Sequence, residues 1–214
     1  MMGAFDTMEA DQRARWSNPC VHPAMTPSDY IASLPKGLDS YPQCKSRGAL
    51  FTTYASCHAE VPLVFDDLRS LTGLDLDAIS RTGWYSTVTL NVFELLIAGR
   101  IGMSTFLKCS ERANTKMLES KLYRALTRVV STSMLVRGAA GRWAHFHRNA
   151  PMHARIDGNA GQAYLAYPEK LYPECLALEK GLVIAAALTV SGVEDVAFRH
   201  RYQEHQSTFF YSWS

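Results

Sequence analysis

The sequence lacks a Cys-x-x-C pair, a long apolar run, a surplus of one charge sign and an apolar leader. Each absence excludes a class. Five cysteines (20, 44, 57, 109 and 175), scattered and odd in number, speak against a disulfide framework or a zinc module and for buried thiols in a reducing cytosol. The longest apolar run, Gly181–Val190, is too short to span a bilayer and sits in a helical pattern carrying Glu179 and Lys180. A formal charge of +2, with 20% of residues charged, leaves no electrostatic footprint for nucleic acid. Met1–Pro19 holds acids, arginines and Trp16 without an apolar core, so no secretory signal is expected. The expectation is a soluble cytoplasmic globular protein.

What is present concentrates in the last third of the 214 residues. Pro151 to Asp157 runs through the turn signal Asp157-Gly158-Asn159 into Gln162–Tyr167, where small and aromatic residues alternate. Pro173 to Val190 reads as a helix with Leu176, Leu178, Val183, Ile184, Ala187 and Leu188 on its apolar side, and Gly192 suits its C-terminus. Val196, Phe198, His200 and Tyr202 follow at period two, then a polar turn, then Phe209, Tyr211 and Trp213. A chain that ends in a regular strand must hold that strand inside a sheet, because loose ends fray. The prediction is a ββαββ unit.

Upstream, residues 1–26 are polar and punctuated by Asn18-Pro19 and His22-Pro23, a loose surface arm or a partly disordered one. A short helix is predicted over Ser28–Ser33, and Tyr41-Pro42-Gln43 is predicted extended, since a residue before proline avoids the right-handed α region. Further helices are expected over 47–58, from Pro62 to Gly73, at 75–79, and from Ser86 to about 99–102, with Thr82-Gly83-Trp84-Tyr85 as a connector. Residues 103–117 carry a weaker helical pattern. Lys116–Val136 is the longest helix candidate, with Leu122, Leu126 and Val129 inward. Residues 142–149 read either as a strand, with Trp143, His145 and His147 on one face, or as a helix. Helices first and an antiparallel sheet last give the segregated α+β class, a single domain over 27–214 in which N-terminal helices pack on a four-stranded antiparallel sheet.

No catalytic motif stands out. An H-x-H pair at His145 and His147, with His153 and His200 near it in the sheet, could suit zinc or copper, against the plainer reading of polar residues on the solvent side. Cysteines are read as buried filler; Cys175, in the first turn of its helix, has the best position for a thiolate. Lys121, Arg124 and Arg128 form a basic stripe that could bind an anion or an acidic partner, and otherwise a solvated outer face. The aromatic residues are mostly core, with enough left over for a concave ligand site or a homodimer interface.

Several landmarks then resemble a known group: Tyr41-Pro42-Gln43 before Arg47-Gly48-Ala49-Leu50-Phe51, Trp84-Tyr85 before an apolar helix, a Gly181-bearing helix ending in Ser191-Gly192, and a final Phe-Tyr-Ser-Trp strand. They resemble an uncharacterised family of cytosolic proteins expanded in myxobacteria. That family is similar in turn to the superfamily of four-vinyl-reductase-type ligand domains, small TRAPP subunits and haem nitric-oxide sensor domains. The resemblance implies helices packed on a four-stranded sheet and an apolar ligand held between them. From the TRAPP side it implies a cysteine lining an acyl-chain tunnel, for which Cys57 is the choice. The sequence departs from the haem sensors in having no Tyr-x-Ser-x-Arg triplet, and from the metal-holding vinyl-reductase-type domains in having no cysteine beside Cys175.

The primary expectation is therefore a non-enzymatic binding protein of regulatory or scaffolding role, without a cofactor, taking a small hydrophobic ligand or a protein partner and forming a homodimer. Its pocket should lie between the helices at 47–58, 86–98 and 118–136 and the inner face of the sheet, with Tyr54, Cys57, Trp84, Phe93, Leu126, Tyr164 and Phe198 in the wall. One alternative is a metal- or haem-dependent sensor or enzyme using His145, His147 and His153. Another is a structural subunit with no pocket.

Overall fold

The structure is a computed structural model that describes residues 25–118, 138–190 and 193–214. Helix α1 (Pro27–Ser33) starts where Thr26 accepts a hydrogen bond from the Asp29 amide, with Pro27 at its first position. Its one buried side chain, Tyr30, donates to the Leu171 carbonyl at 2.7 Å. Tyr41-Pro42-Gln43 is not extended. Tyr41 takes a φ of 54° and the Cys44 amide closes a turn on its carbonyl. Proline disfavours only the right-handed α region for the residue before it, and the Tyr41 hydroxyl is held by the Glu169 carbonyl at 2.7 Å.

Strand β1 (Lys45–Arg47) passes directly into α2 (Gly48–Ala55). A Cβ on Gly48 would fall 2.0 Å from the Ser80 carbonyl oxygen, so only glycine allows this close approach. A 3-10 turn (Val61–Val64) leads to α3 (Phe65–Thr72), which Gly73 ends at φ 70°. Trp84 and Tyr85, expected in the connector, form strand β2 (Trp84–Ser86) with Ser86, paired antiparallel to β1; three residues are too few for periodicity to reveal. The Ser86 hydroxyl then caps α4 (Thr87–Ile101), and α5 (Met103–Leu118) follows. The predicted long helix from Lys116 runs outside the described residues beyond 118. Helix α6 (Ala139–Phe146) and the two-residue strand β3 (His147–Arg148) divide the ambiguous segment between them, so Trp143, His145 and His147 do not share a strand face. Strands β2-β1-β3 form a small antiparallel sheet.

The last third forms the predicted ββαββ unit: β4 (Met152–Asp157), β5 (Ala160–Ala166), α7 (Glu174–Val190), β6 (Ala197–Gln203) and β7 (Gln206–Ser212). The strand order is β4-β5-β7-β6, so the final strand is internal to the sheet, and the Trp213 amide donates to the Asn159 carbonyl beyond it. The register places Met152, Leu165, Ser207 and Tyr202 in one row across the sheet, and Ala154, Ala163, Phe209 and His200 in the next. Helix α7 crosses the β6–β7 half of this face, and α5 packs on α7 from the other side. The fold is α+β, as the sequence predicts.

Gly181 is where helix and sheet meet. A Cβ there would fall 2.5 Å from Phe209 and 2.7 Å from Phe198, and the Tyr211 hydroxyl reaches the Gly181 carbonyl at 3.1 Å. Gly181→Ala would thus force α7 off the sheet, because packed interiors tolerate even one extra carbon poorly. Urea unfolding is expected to show a loss of about 1–3 kcal/mol for this variant, whereas Gly99→Ala, with open space around it, should lose none. Equal stability of the two variants would contradict the close approach.

Candidate functional site

Beside that contact the helix and the sheet draw apart. Small residues face one another: Ala154, Gly161 and Ala163 from the sheet, Val183 and Ala187 from α7 and Ala139 from α6. The space left is a cavity of about 120 Å³. Its wall is completed by Leu50, Trp143, Phe146, Met152, Ile184, Leu188, Tyr211 and Trp213. The polar residues in the wall are Tyr54, Asn114, His147 and Lys180, which are buried, and Arg142, Arg155 and Gln162. The pocket is partly open at the surface, and a wall this apolar suits an apolar guest.

Lys180 also belongs to a buried charge cluster behind the wall. Its Nζ lies 2.8 and 2.9 Å from the two carboxylate oxygens of Glu94 on α4 and 2.8 Å from Oε2 of Glu179. All three side chains are at most 2% exposed, so solvent screens none of these charges. The other oxygen of Glu179 accepts from the Tyr54 hydroxyl at 2.8 Å, from the Ser110 hydroxyl, and from Asn114 Nδ2 at 3.4 Å. Oε2 of Glu179 is near the ammonium without an aligned hydrogen bond. One cation thus stands between two carboxylates. Burial pushes the Glu94 carboxyl up to about 7, with Lys180 pulling against it and Glu179 adding to it. Burial alone would lower the Lys180 ammonium, but Glu179 and Glu94 outweigh it and hold that pKa well above the usual value. His147 is kept neutral by burial first and by Lys180 second. Its ring stacks on Trp143 at 3.9 Å, and Nδ1 is 3.3 Å from the Ser46 hydroxyl.

Of the sequence-predicted wall residues, Tyr54 lines the cavity and the others described do not. Helix α4, expected as one wall, contributes nothing to the lining; α6 and α7 take its place. Phe93 is core, stacked on Phe51 at 6.1 Å. Trp84 lies in the small sheet against Arg47 and Arg148. Phe198 covers Gly181. Tyr164 pairs with His153 and Thr208 on the opposite face of the sheet from Ala163 and hydrogen-bonds Gln206, because strand alternation turns Ala163 and Leu165 toward the helix and Tyr164 away from it. The Cys57 carbonyl accepts from the Cys109 thiol, and burial pushes the Cys57 thiol up to about 12, so it carries no thiolate at neutral pH. Leu126 and the basic stripe Lys121, Arg124 and Arg128 lie outside the described residues.

The histidines do not converge. His145 and His153 are exposed, His147 is buried on Trp143, and His200 stacks on Phe209 at 5.0 Å with burial lowering it to about 4. Among the described residues no three His, Cys, Asp or Glu side chains are placed to hold a metal ion. Also among them, no helix is long and apolar enough to cross a membrane. Sequence reasoning missed Glu94, Glu179 and Lys180 as a unit. The available signal was a lone carboxylate amid Leu90, Phe93, Leu95 and Ile97, and an adjacent Glu-Lys pair in an equally apolar helix.

No protein-family model matches the chain, and no curated protein does. Solved structures match by shape. The I5F mutant of T. tengcongensis H-NOX superposes with a TM-score of 0.53 at 10% identity, over 78% of this chain and 94% of that one. The chain shares the H-NOX fold. An H-NOX protein from S. oneidensis, solved in the Fe(II)NO ligation state, gives a TM-score of 0.50 at 14% identity, over 78% of this chain and 99% of the other. The likeness reaches the haem-sensor side of the resemblance noted from the sequence, and it is one of fold. The myxobacterial family finds no support in these comparisons.

Removing one partner from a buried ion cluster strands the others. Lys180→Met is expected to cost about 3–5 kcal/mol in urea unfolding, and Glu94→Gln with Glu179→Gln added to it to recover most of that loss. A triple variant no more stable than Lys180→Met would show that the charges are not what is being balanced. The raised Glu94 pKa also fixes a pH dependence. Its proton is bound more tightly in the folded chain, so its contribution is fullest below the ordinary carboxyl pKa, near 4.5, and is lost as pH rises to about 7. The stability of wild type relative to Glu94→Gln should therefore fall between those limits and be level above them; a rise across that window would refute the assignment.

Proposed function

We propose that this chain is a non-enzymatic binding domain that holds a small apolar molecule between α7, α6 and the large sheet, in a regulatory or scaffolding role. The carrying observation is the cavity of about 120 Å³, opened by small side chains on both walls. Volume decides the class of guest. A dry engineered cavity of about 150 Å³ takes benzene, while sites for drug-sized ligands run to roughly 300–1,000 Å³. The guest is thus of single-ring size, and the neutral His147 is a polar residue of the wall beside it. Cytoplasmic location and a homodimer belong to the same reading.

The H-NOX fold of the structural neighbours favours a second reading, a haem sensor; one of those structures concerns "heme distortion in the H-NOX family". The residues here do not fit that group. The cavity holds one ring rather than a macrocycle, its single imidazole is stacked on Trp143, and the buried charge cluster stands against its inner end.

Thermal unfolding with benzene, indole or octanol tests the first reading and hemin titration the second. Indole or benzene should raise the midpoint of wild type, and Ala163→Leu, which fills the cavity, should abolish that rise without lowering the unliganded midpoint. Binding by Ala163→Leu equal to wild type would place the ligand elsewhere. Hemin should give no stoichiometric Soret band; such a band would establish the haem reading instead.

A further inference from the structure

The small sheet has an inner and an outer face. Ser46 pairs with Tyr85 on one side and His147 on the other, and Ser46 and His147 are buried. Successive side chains on a strand point to opposite faces, so Lys45, Arg47, Trp84, Ser86 and Arg148 share the outer one. Lys45 stands directly opposite Arg148, and Arg47 opposite Trp84. The guanidinium carbons of Arg47 and Arg148 each lie 4.0 Å from the Trp84 ring centroid, which draws the two cations together on a single indole.

Like charges directly opposite on antiparallel strands are destabilising. Nothing on this sheet offsets them: its three strands contain no acid, and among the described residues no carboxylate pairs with Lys45, Arg47 or Arg148. Arg47 is partly engaged, through Nε to the His145 carbonyl at 3.0 Å and through Nη1 to the Thr82 carbonyl. The guanidinium of Arg148 makes no hydrogen bond among the described residues and is exposed. It is held flat by the indole with its donors available.

We propose that this face docks an acidic segment of a protein partner, whose carboxylates are gripped by Arg148, Lys45 and the free side of Arg47 around Trp84. Guanidinium forks match carboxylates in pairs, and Trp and Arg are the residue types that most often anchor interfaces. Size favours a peptide over nucleic acid. Three strands at roughly 4.8 Å spacing give room for two or three carboxylates, not for a tract of phosphates.

The test is fluorescence anisotropy of a labelled octaglutamate peptide with the full chain, at low salt and at about 0.15 M. Binding should weaken with salt. Lys45→Gln with Arg148→Gln should weaken it about tenfold or more, as expected for lost charged hydrogen bonds, while Lys108→Gln, an exposed cation on α5, should leave it unchanged. Because Arg148 also packs on Trp84, Lys45→Gln alone and Arg148→Lys serve as milder variants; each should give a partial loss with an unaltered unfolding midpoint. Wild-type affinity in the double variant, or an equal loss in Lys108→Gln, would overturn the proposal. So would tighter binding of a single-stranded oligonucleotide of equal charge, or full competition by inorganic phosphate at equal charge concentration.

Discussion

The ammonium of Lys180 between the carboxylates of Glu94 and Glu179 is the interaction on which the arrangement of this molecule turns. It joins α4 to α7, and through the far oxygen of Glu179 it also takes in Tyr54 of α2 and Ser110 and Asn114 of α5. Four helices thus meet at one buried polar point. Such a cluster is poor value as stabilisation, since desolvation consumes most of the Coulombic gain. Its effect is specificity of position: apolar side chains can slide past one another, but a buried ammonium held between two carboxylates favours one register. Helix α7 is fixed by that register on one side and by the Gly181 contact with Phe198 and Phe209 on the other.

The cavity follows from these two anchors. Where Gly181 brings the helix down onto β6 and β7, packing is tight. Toward β4 and β5 the residues facing one another across the gap are small. Close-packed cores normally fill such a gap, since each missing contact costs dispersion energy. Ala154, Gly161, Ala163 and Ala187 are too short to do so, and α6 closes the side instead with Trp143 and Phe146. The charge cluster at the inner end prevents collapse there, because bringing aliphatic atoms against it would displace hydrogen-bonding groups.

The chain has the H-NOX fold at 10–14% identity, which is likeness of architecture. One fold serves many sites, and the chemistry has to be read from the residues. Here those residues are small apolar side chains, a neutral imidazole and a buried ammonium between two carboxylates.

The sequence by itself determined the ββαββ order, the placing of the last strand inside its sheet, and the α+β class. Those features rest on local periodicity: Phe198, His200 and Tyr202, then Phe209 and Tyr211, alternate visibly, and the long apolar run of α7 marks a helix. Which side of α7 is buried was not legible: Leu176 and Leu188 are covered as expected, but Leu178, Val183, Ile184 and Ala187 are half-buried while Glu179, Lys180 and Gly181 are covered. It also marked Tyr54 for the cavity wall. The three-residue strands β1 and β2 are below the length at which alternation can be seen, and alternation alone does not say which of the two faces, that of Tyr164 or that of Ala163 and Leu165, turns toward the helix. Only tertiary structure decided where the empty space lies, since a cavity is set by which small side chains meet across elements far apart in sequence. Only it brought Glu94 to Lys180, eighty-six residues on, and Arg148 to Trp84. Charge pairing acts through space, and no local pattern encodes which distant helix or strand will supply the partner.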